Sequence, residues 1–398
     1  MIQKTAKTFY LVTGLSQFFG AFHYATYVIF LLSRDLDLMQ VSLVNVAFMV
    51  TVFIFEVPTG AVADIFGRKF SYVLSNLILG LGFAFYGFCQ DFWGFILAEI
   101  IIAIGMTLTS GALKAWFVDS LKFYGYQGKF HTFFSKQERI LHGAGILGVL
   151  GGGYLGRLDL AYNWFVSGAG FFIIAYLAFR LMKEEYFRPN GNGWKDSING
   201  FSKITVNSFR YGMGNRSFLL LTIIGLGISI ALMGPNMQWQ PLFQKFFTDP
   251  AVFGWMFVAI SLSVMLGNSL VPKLVKNRGN RSWVFVVSLL AIGIGIAVAP
   301  WAQGLFVATA FFLFHEMGRG IFRPNMEAQL NEVIPSSSRA TMLSIYSMIG
   351  SGGAALGLLA SGFLAKNFSI PLTWTLSAGL IFLLLPIALL LRKEKAEP

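Results

Sequence analysis

Charged side chains are scarce in this sequence. Asp, Glu, Lys and Arg together make up 12% of the 398 residues, whereas a soluble domain averages about 25%. Histidine occurs four times and cysteine once, at Cys89, which excludes an intrachain disulfide. The G-x-x-x-x-G-K-S/T motif for nucleotide phosphates is missing, and the histidines are scattered. We therefore expect no metal site, no cofactor and no enzymatic activity.

Apolar residues are correspondingly abundant. They make up 56% of the chain, which contains 42 Phe and 43 Gly. A soluble core of this size does not bury so much phenylalanine, whereas abundant glycine suits helices that pack closely within a bilayer. The net charge of +12 is compatible with nucleic-acid binding, but the long apolar runs exclude that function. We expect a membrane protein that is surrounded by the lipid bilayer.

Twelve stretches are long and apolar enough to cross a bilayer, which takes roughly 20 residues per helix. In chain order, spans 1 to 12 are Phe9–Ser33, Leu38–Ala63, Phe70–Cys89, Phe92–Ser120, Ile140–Leu158, Tyr162–Met182, Phe218–Pro241, Val252–Val271, Trp283–Trp301, Leu305–Arg323, Thr341–Ala365 and Leu372–Leu391. Span 1 exceeds the ~7–15-residue apolar core of a signal peptide. We therefore interpret it as a membrane helix.

The basic residues predict the orientation of these spans. With a cytoplasmic N-terminus, 25 Lys and Arg residues lie on the cytoplasmic side and four lie outside, while Lys114 is inside span 4. Cytoplasmic loops carry such an excess of basic residues in membrane proteins. We expect a multi-pass protein of the inner cell membrane with both termini in the cytoplasm.

The chain divides at its longest polar loop. Residues 1–182 and 217–398 each contain six spans, and residues 183–216 form a cytoplasmic linker in which Asp196–Tyr211 could form an amphipathic surface helix. At an offset of 200, Arg139 matches Arg339, and Gly152 and Gly153 match Gly352 and Gly353. The two halves are therefore predicted to be structural repeats.

The loop between spans 2 and 3 contains the most specific motif. It reads Gly60-Ala-Val-Ala-Asp64-Ile-Phe-Gly67-Arg68-Lys69 and resembles the G-x-x-x-D-x-x-G-R-K/R signature of the major facilitator superfamily. We expect Gly60 to allow close helix approach and Gly67 a tight turn. The resemblance implies an all-α membrane fold with twelve helices in two pseudo-symmetric six-helix bundles. It also implies a secondary transporter that works by alternating access.

In relatives of this family, the loop charges meet an acidic residue at the cytoplasmic end of span 4. Asp119 has that position here. The resemblance therefore predicts a conformational latch of Gly60, Asp64, Gly67, Arg68, Lys69 and Asp119. The alternative is that Asp119 only caps the end of its helix in solvent.

Span 5 contains Gly148-Val149-Leu-Gly151-Gly152-Gly153. The run resembles the G-P-x-x-G-G antiporter signature of the drug/proton antiporter branch, but Val149 replaces the proline and Ala144 replaces a preceding glycine. The glycines are also explained by close helix packing alone.

Ionisable residues at membrane depth are costly and therefore candidates for function. Glu316 lies midway along span 10, one turn from Arg319, and is the first candidate for proton coupling. The alternative is a permanent Glu316–Arg319 ion pair. Glu99 in span 4 is a second candidate for a proton or cation, unless it faces an outer vestibule. His23 in span 1 is the third, unless it is a structural hydrogen-bonding residue.

In this family, spans 1, 4, 7 and 10 line the substrate cavity. The residues implied by that resemblance are Gln17, Tyr24, Tyr27, Lys114, Asn236, Trp239, Gln240 and Arg319. Two of these assignments have alternatives, since Lys114 could be silent in an ion pair and Trp239 could be an interfacial anchor.

The sequence favours a proton-coupled exporter of small lipophilic compounds, monomeric, with a small-molecule substrate and the proton as its partners. Two alternatives stay open. One is a proton-coupled importer of a small polar nutrient. The other is a lipid or glycolipid flippase, in which Lys114 and Arg319 would bind an anionic head group.

Overall fold

The computed structural model describes residues 1–187, 215–278, 281–335 and 339–391. Within these ranges the secondary structure is helical and contains no strand. The amphipathic helix predicted at Asp196–Tyr211 lies outside the described residues.

The described helices fall into twelve groups, which we number helix 1 to helix 12. Four of them consist of two pieces. The bounds are Ile2–Gly20 with Tyr27–Leu32, Leu38–Phe66, Arg68–Phe88, Phe92–Thr109 with Ala112–Phe123, His131–Leu155, Ala161–Leu181, Arg216–Ala231 with Met233–Phe243, Pro250–Arg278, Arg281–Val298, Leu305–Val333, Arg339–Asn367 and Ile370–Leu383 with Leu385–Leu390.

Most of these helices have the length and composition of membrane spans. Ten of those described are long and apolar enough to cross a bilayer. Helices 1 and 5 occupy the other two predicted positions. Helix 1 is divided into a long and a short piece, and helix 5 begins with the polar stretch His131–Arg139. The prediction of an all-α membrane protein is therefore confirmed.

Of the four helices that consist of two pieces, helices 1 and 4 have the widest breaks. Helix 1 passes at Ala21–His23 into a single 3₁₀ turn and resumes at Tyr27. Helix 4 breaks at Ser110 and Gly111, where Gly111 has a φ of +70°. Glycine adopts this left-handed conformation without steric cost. The predicted span 4 nevertheless corresponds to one candidate membrane span, Phe92–Phe123, with this break inside it.

Helix 5 packs backbone-to-backbone against helix 1. A Cβ atom at Gly148 would collide with the Phe18 carbonyl, and one at Gly152 with the Phe22 carbonyl. Small residues four positions apart form such contact faces in membrane helices. Helix packing therefore explains both of these glycines.

The described contacts divide the chain into two compact units. Unit 1 contains residues 1–36, 43–197 and 247–258, and unit 2 contains residues 37–42, 198–246 and 259–398. Helices 2 and 8 are thus each divided between the units, helix 2 after Ser42 and helix 8 after Val258.

Each unit contains an ion pair near the start of one of these divided helices. In unit 1, Arg157 donates to Asp249, with 2.8 Å between Arg157 Nε and Asp249 Oδ1. In unit 2, Lys366 Nζ lies 2.8 Å from Asp37 Oδ2. Both aspartates also accept a backbone N–H of the following helix, from Ala251 and Gln40 respectively.

Candidate coupling and substrate-binding sites

A buried carboxylate, Glu99, lies in the first piece of helix 4. Glu99 is 7% exposed, and Tyr27 of helix 1 donates its hydroxyl to Glu99 Oε1 at 3.0 Å. The Tyr27 oxygen accepts hydrogen bonds from Asn45 Nδ2 at 2.9 Å and from the Tyr86 hydroxyl at 3.5 Å. Helices 1, 2, 3 and 4 therefore meet in one polar network of unit 1.

The partners of Glu99 are neutral. Among the described residues, no Lys, Arg or His forms an ion pair with Glu99. Taking an isolated carboxylate out of water costs many kcal/mol unless it is paired or protonated. Neutral hydroxyl donors reduce this cost but leave the charge uncompensated, so the site can accommodate a proton or another cation.

Aromatic rings enclose this network on one side. Tyr86 stacks on Trp164 with a centroid distance of 3.8 Å, and the Trp164 ring also stacks on His23 at 4.4 Å. His23 lies in the 3₁₀ turn that interrupts helix 1. Its Nδ1 atom is buried without a hydrogen-bond partner among the described residues. The structure thus brings Tyr27, Glu99 and His23 into one region of unit 1.

The second buried carboxylate, Glu316, has a different environment. It is 4% exposed in helix 10, and Arg319 Nη1 donates to its Oε1 atom at 2.9 Å. The Arg319 side chain is 32% exposed. The permanent-pair alternative from the sequence is therefore consistent with this geometry.

His315 also lies close to Glu316 but does not donate to it. The His315 Nδ1 atom is 2.6 Å from the Phe312 carbonyl, an acceptor that places the ring proton on Nδ1. His315 Nε2 lies 3.5 Å from Glu316 Oε1 but makes no hydrogen bond there. Arg319 is thus the donor that stabilises the Glu316 carboxylate.

Unit 2 also contains an aromatic cluster beside Glu316. Phe312 lies 6.0 Å from Trp239, 5.9 Å from Trp374 and 4.9 Å from His315, measured between ring centroids. Trp239 is 6% exposed, so it is packed within the unit and the interfacial-anchor alternative is disfavoured. Asn236 is half-buried and Gln240 buried in the same helix piece.

The remaining cavity candidates have more exposed positions. Gln17 of helix 1 is half-buried and lies against Gly145 of helix 5. Tyr24 is 39% exposed and packs 6.1 Å from the Phe257 ring. Lys114 is exposed in the second piece of helix 4. All three side chains therefore present surface that a ligand could contact.

The signature loop has the predicted turn at Gly67 and an ion pair beside it. Gly67 has a φ of +96°, and Arg68 Nη2 lies 2.9 Å from Asp64 Oδ1. A Cβ atom at Gly60 would have nothing within 4 Å. The close helix approach predicted at Gly60 is therefore absent from the described structure, because Gly60 faces open space.

Several residues of these sites were missed by the sequence analysis. Asn45 and Tyr86 each lie in long apolar spans as ordinary polar or aromatic residues. Glu184 accepts two backbone N–H groups of the signature loop and was counted with the linker. Asn45 could have been found as a polar residue within an apolar run, whereas no sequence pattern pointed to Glu184.

The described residues contain no cluster of His, Cys, Asp or Glu that could hold a metal.

Comparisons with known proteins agree with this architecture. The family model described as Major Facilitator Superfamily matches residues 217–398. The chain is 24% identical over 366 residues to the uncharacterized MFS-type transporter YxaM of Bacillus subtilis, covering 91% of this chain and 89% of that protein. It is 23% identical over 325 residues to the bacillibactin exporter of the same species, covering 80% and 79%.

Solved structures share the fold over almost the whole chain. The nucleoside transporter NupG superposes with a TM-score of 0.79 at 15% identity and covers 98% of this chain and 100% of its own. A bacterial homologue of the iron transporter ferroportin gives a TM-score of 0.78 at 13% identity, covering 98% and 99%. The chain is thus a multi-pass membrane protein whose second half matches the major facilitator model and whose fold is similar to that of these transporters.

Proposed function

We propose that the chain is a proton-coupled exporter of small lipophilic compounds. The observation that carries this proposal is Glu99, a carboxylate that is buried within unit 1 and has only neutral hydrogen-bond partners among the described residues. Such a group is tolerated at membrane depth when it takes a proton or binds a cation.

The Tyr27–Asn45–Tyr86 network gives Glu99 two usable states. When ionised, the carboxylate accepts a hydrogen bond from the Tyr27 hydroxyl, and the Tyr27 oxygen accepts hydrogen bonds from Asn45 and Tyr86. When protonated, Glu99 is neutral, so the free-energy cost of burying a charge disappears. Alternating access exposes one site to water from one side at a time, so loading and release of the proton become separate steps.

The export direction and the lipophilic substrate are supported by weaker observations. One relative that matches most of the chain is named as a bacillibactin exporter. Tyr24, which is 39% exposed, provides an aromatic surface of the kind that binds apolar ligands. We further propose that the protein is a monomer of the cell membrane with both termini in the cytoplasm, as the distribution of basic residues favours.

The test uses a compound identified by binding. A panel of lipophilic compounds is screened for a rise in the melting temperature of the detergent-solubilised protein, and each binder is followed in everted membrane vesicles. We expect accumulation that requires an acidic vesicle interior and that an uncoupler abolishes. Accumulation that the uncoupler leaves unchanged would refute proton coupling, and transport only by right-side-out vesicles would favour the importer.

The same vesicles test the role of Glu99. Glu99→Gln should abolish accumulation yet retain binding and downhill exchange. Asp91→Asn is a matched control, because Asp91 lies at the start of the same helix and its described role is to cap Gly94, which asparagine also does. Wild-type accumulation by Glu99→Gln would remove the observation on which the proposal rests.

A further inference from the structure

The first residues after helix 6 lie against the ends of two other helices of unit 1. The Trp116 indole of helix 4 donates to the Lys183 carbonyl at 2.8 Å. The Tyr124 hydroxyl, which follows the end of helix 4, donates to Glu185 Oε2 at 3.3 Å. Residues 183–187 are therefore held in place by contacts with helix 4.

Glu184, within this segment, caps the start of helix 3. Its Oε1 atom accepts the backbone N–H of Arg68 at 2.7 Å, and its Oε2 atom accepts that of Lys69 at 2.9 Å. The first N–H groups of a helix have no partner within the helix. A carboxylate satisfies them and is also favoured by the positive end of the helix dipole.

Gly67 makes room for this carboxylate. Gly67 occupies the N-cap position of helix 3 and has no side chain with which to cap the helix. A Cβ atom there would lie 2.6 Å from Glu184 Oε2, closer than real contacts allow. The signature glycine is thus required for its positive φ and also for the approach of Glu184.

The Glu184 carboxylate also lies close to the charged residues of the signature loop. The Tyr186 hydroxyl lies 3.3 Å from Glu184 Oε1. Burial raises the pKa of Tyr186, as do the nearby charges of Glu184 and Asp119, while Arg68 lowers it. Tyr186 therefore lies within electrostatic range of all three charged residues.

We infer that Glu184 is a positioning residue of the signature loop. By fixing the backbone at Arg68 and Lys69, it holds the Arg68 guanidinium where it reaches Asp64 at 2.9 Å. The start of the linker is thereby tied to the loop that carries the latch charges. This inference depends neither on the coupling ion nor on the direction of transport.

Amide hydrogen exchange on the full-length protein in detergent tests the cap without any substrate. Glu184→Gln should accelerate exchange of the amides in residues 68–70 by about tenfold, because a charge-assisted hydrogen-bond pair is weakened. Glu184→Asp keeps the charge and should restore part of the protection. Glu185→Gln is the matched control and should leave these amides unchanged. Wild-type exchange rates in Glu184→Gln would overturn the inference.

A double-mutant cycle separates positioning from capping alone. If Glu184 positions Arg68 for Asp64, the fall in melting temperature caused by Asp64→Asn should be smaller in the Glu184→Gln background than in the wild type. An equal effect in both backgrounds would mean that Glu184 caps helix 3 without positioning Arg68. If Glu184→Gln does not fold, the same cycle with Glu184→Asp decides the question.

Discussion

Glu99 and Glu316 are both buried carboxylates, in helices 4 and 10, but they differ in their partners. Glu99 accepts a hydrogen bond from a neutral tyrosine, whereas Glu316 accepts one from an arginine. A cationic partner stabilises the ionised carboxylate and a neutral one leaves its charge uncompensated. This difference is the basis of our proposal that Glu99 exchanges a proton while Glu316 and Arg319 form a fixed ion pair.

The largest expected effect separates the two carboxylates in one transport assay. Glu99→Gln should remove accumulation driven by a pH gradient, whereas Glu316→Gln combined with Arg319→Gln should retain it, because the double variant removes both charges of the fixed pair. Accumulation by everted vesicles, normalised to protein level, measures this. The proposed difference between Glu99 and Glu316 would be wrong if the double variant is produced and binds substrate but its vesicles do not accumulate the substrate.

The sequence favoured Glu316 over Glu99 as the residue for proton coupling. From the contacts in the structure, we propose the opposite order. The ranking rested on the central position of Glu316 in its span. Spacing along one helix placed Arg319 beside Glu316, and this pair was therefore foreseen as an alternative. The neutral partners of Glu99 come from helices 1, 2 and 3, whose rotations about their axes are set by packing and leave no pattern in the sequence.

The fold was more predictable than the sites. Long apolar runs separated by basic loops specify membrane helices, because every backbone polar group must be satisfied within the bilayer. The breaks in helices 1 and 4 were missed since neither contains a proline, and Ser110-Gly111 lies in an otherwise apolar run. Glu184 was missed because it contacts Arg68 across 116 residues.

The second prediction concerns stability. Glu316→Gln should destabilise the protein by about 1–3 kcal/mol, less than the roughly 3–5 kcal/mol for breaking a fully buried pair, because Arg319 reaches solvent. Adding Arg319→Gln should recover part of the loss. Thermal unfolding in detergent measures both changes.

Helix 10 itself supplies the control for this measurement. Arg323 and Glu327 form an exposed pair at 3.0 Å, with side chains 84% and 62% exposed. Glu327→Gln should therefore cost no more than about 0.5 kcal/mol. Equal losses from Glu316→Gln and Glu327→Gln would contradict the view that burial makes the Glu316–Arg319 pair structural.

The third prediction extends the comparison to the half-exposed pair of the signature loop. Asp64→Asn or Arg68→Ala should slow transport by roughly tenfold, the effect of a population shift of about 1.4 kcal/mol, while the protein remains folded and inserted. Transport rate and melting temperature measured on the same preparations check this. Normal transport by both variants would argue against a latch.

Asp119 provides a finer test of the same loop. The charge of Asp119 raises the pKa of Tyr186 and that of Arg68 lowers it. Because both charges lie near this hydroxyl, Asp119→Asn and Arg68→Ala should have non-additive effects on the transport rate. If the losses simply add, Asp119 serves only as a helix cap and Glu184 is the acidic residue that matters to the loop.

The smallest expected effect belongs to the exposed pair of unit 1. The Arg157 hydrogen bond, with the Ala251 N–H, lowers the pKa of Asp249 to about 2 from its ordinary value of 3.8. A carboxyl group whose pKa is lowered in the folded state contributes stability at pH values above its pKa in the unfolded chain. This contribution is lost as the pH falls towards its pKa in the folded protein.

Asp249→Asn keeps the cap of Ala251 but removes the charge, so it should lower the melting temperature slightly at pH 7. High salt should erase that difference, because exposed charges are screened. The difference should also stay constant from about pH 5 to pH 8 and shrink between about pH 4 and pH 2. A loss as large as that of Glu316→Gln, unaffected by salt, would show that solvent exposure does not rank these ion pairs.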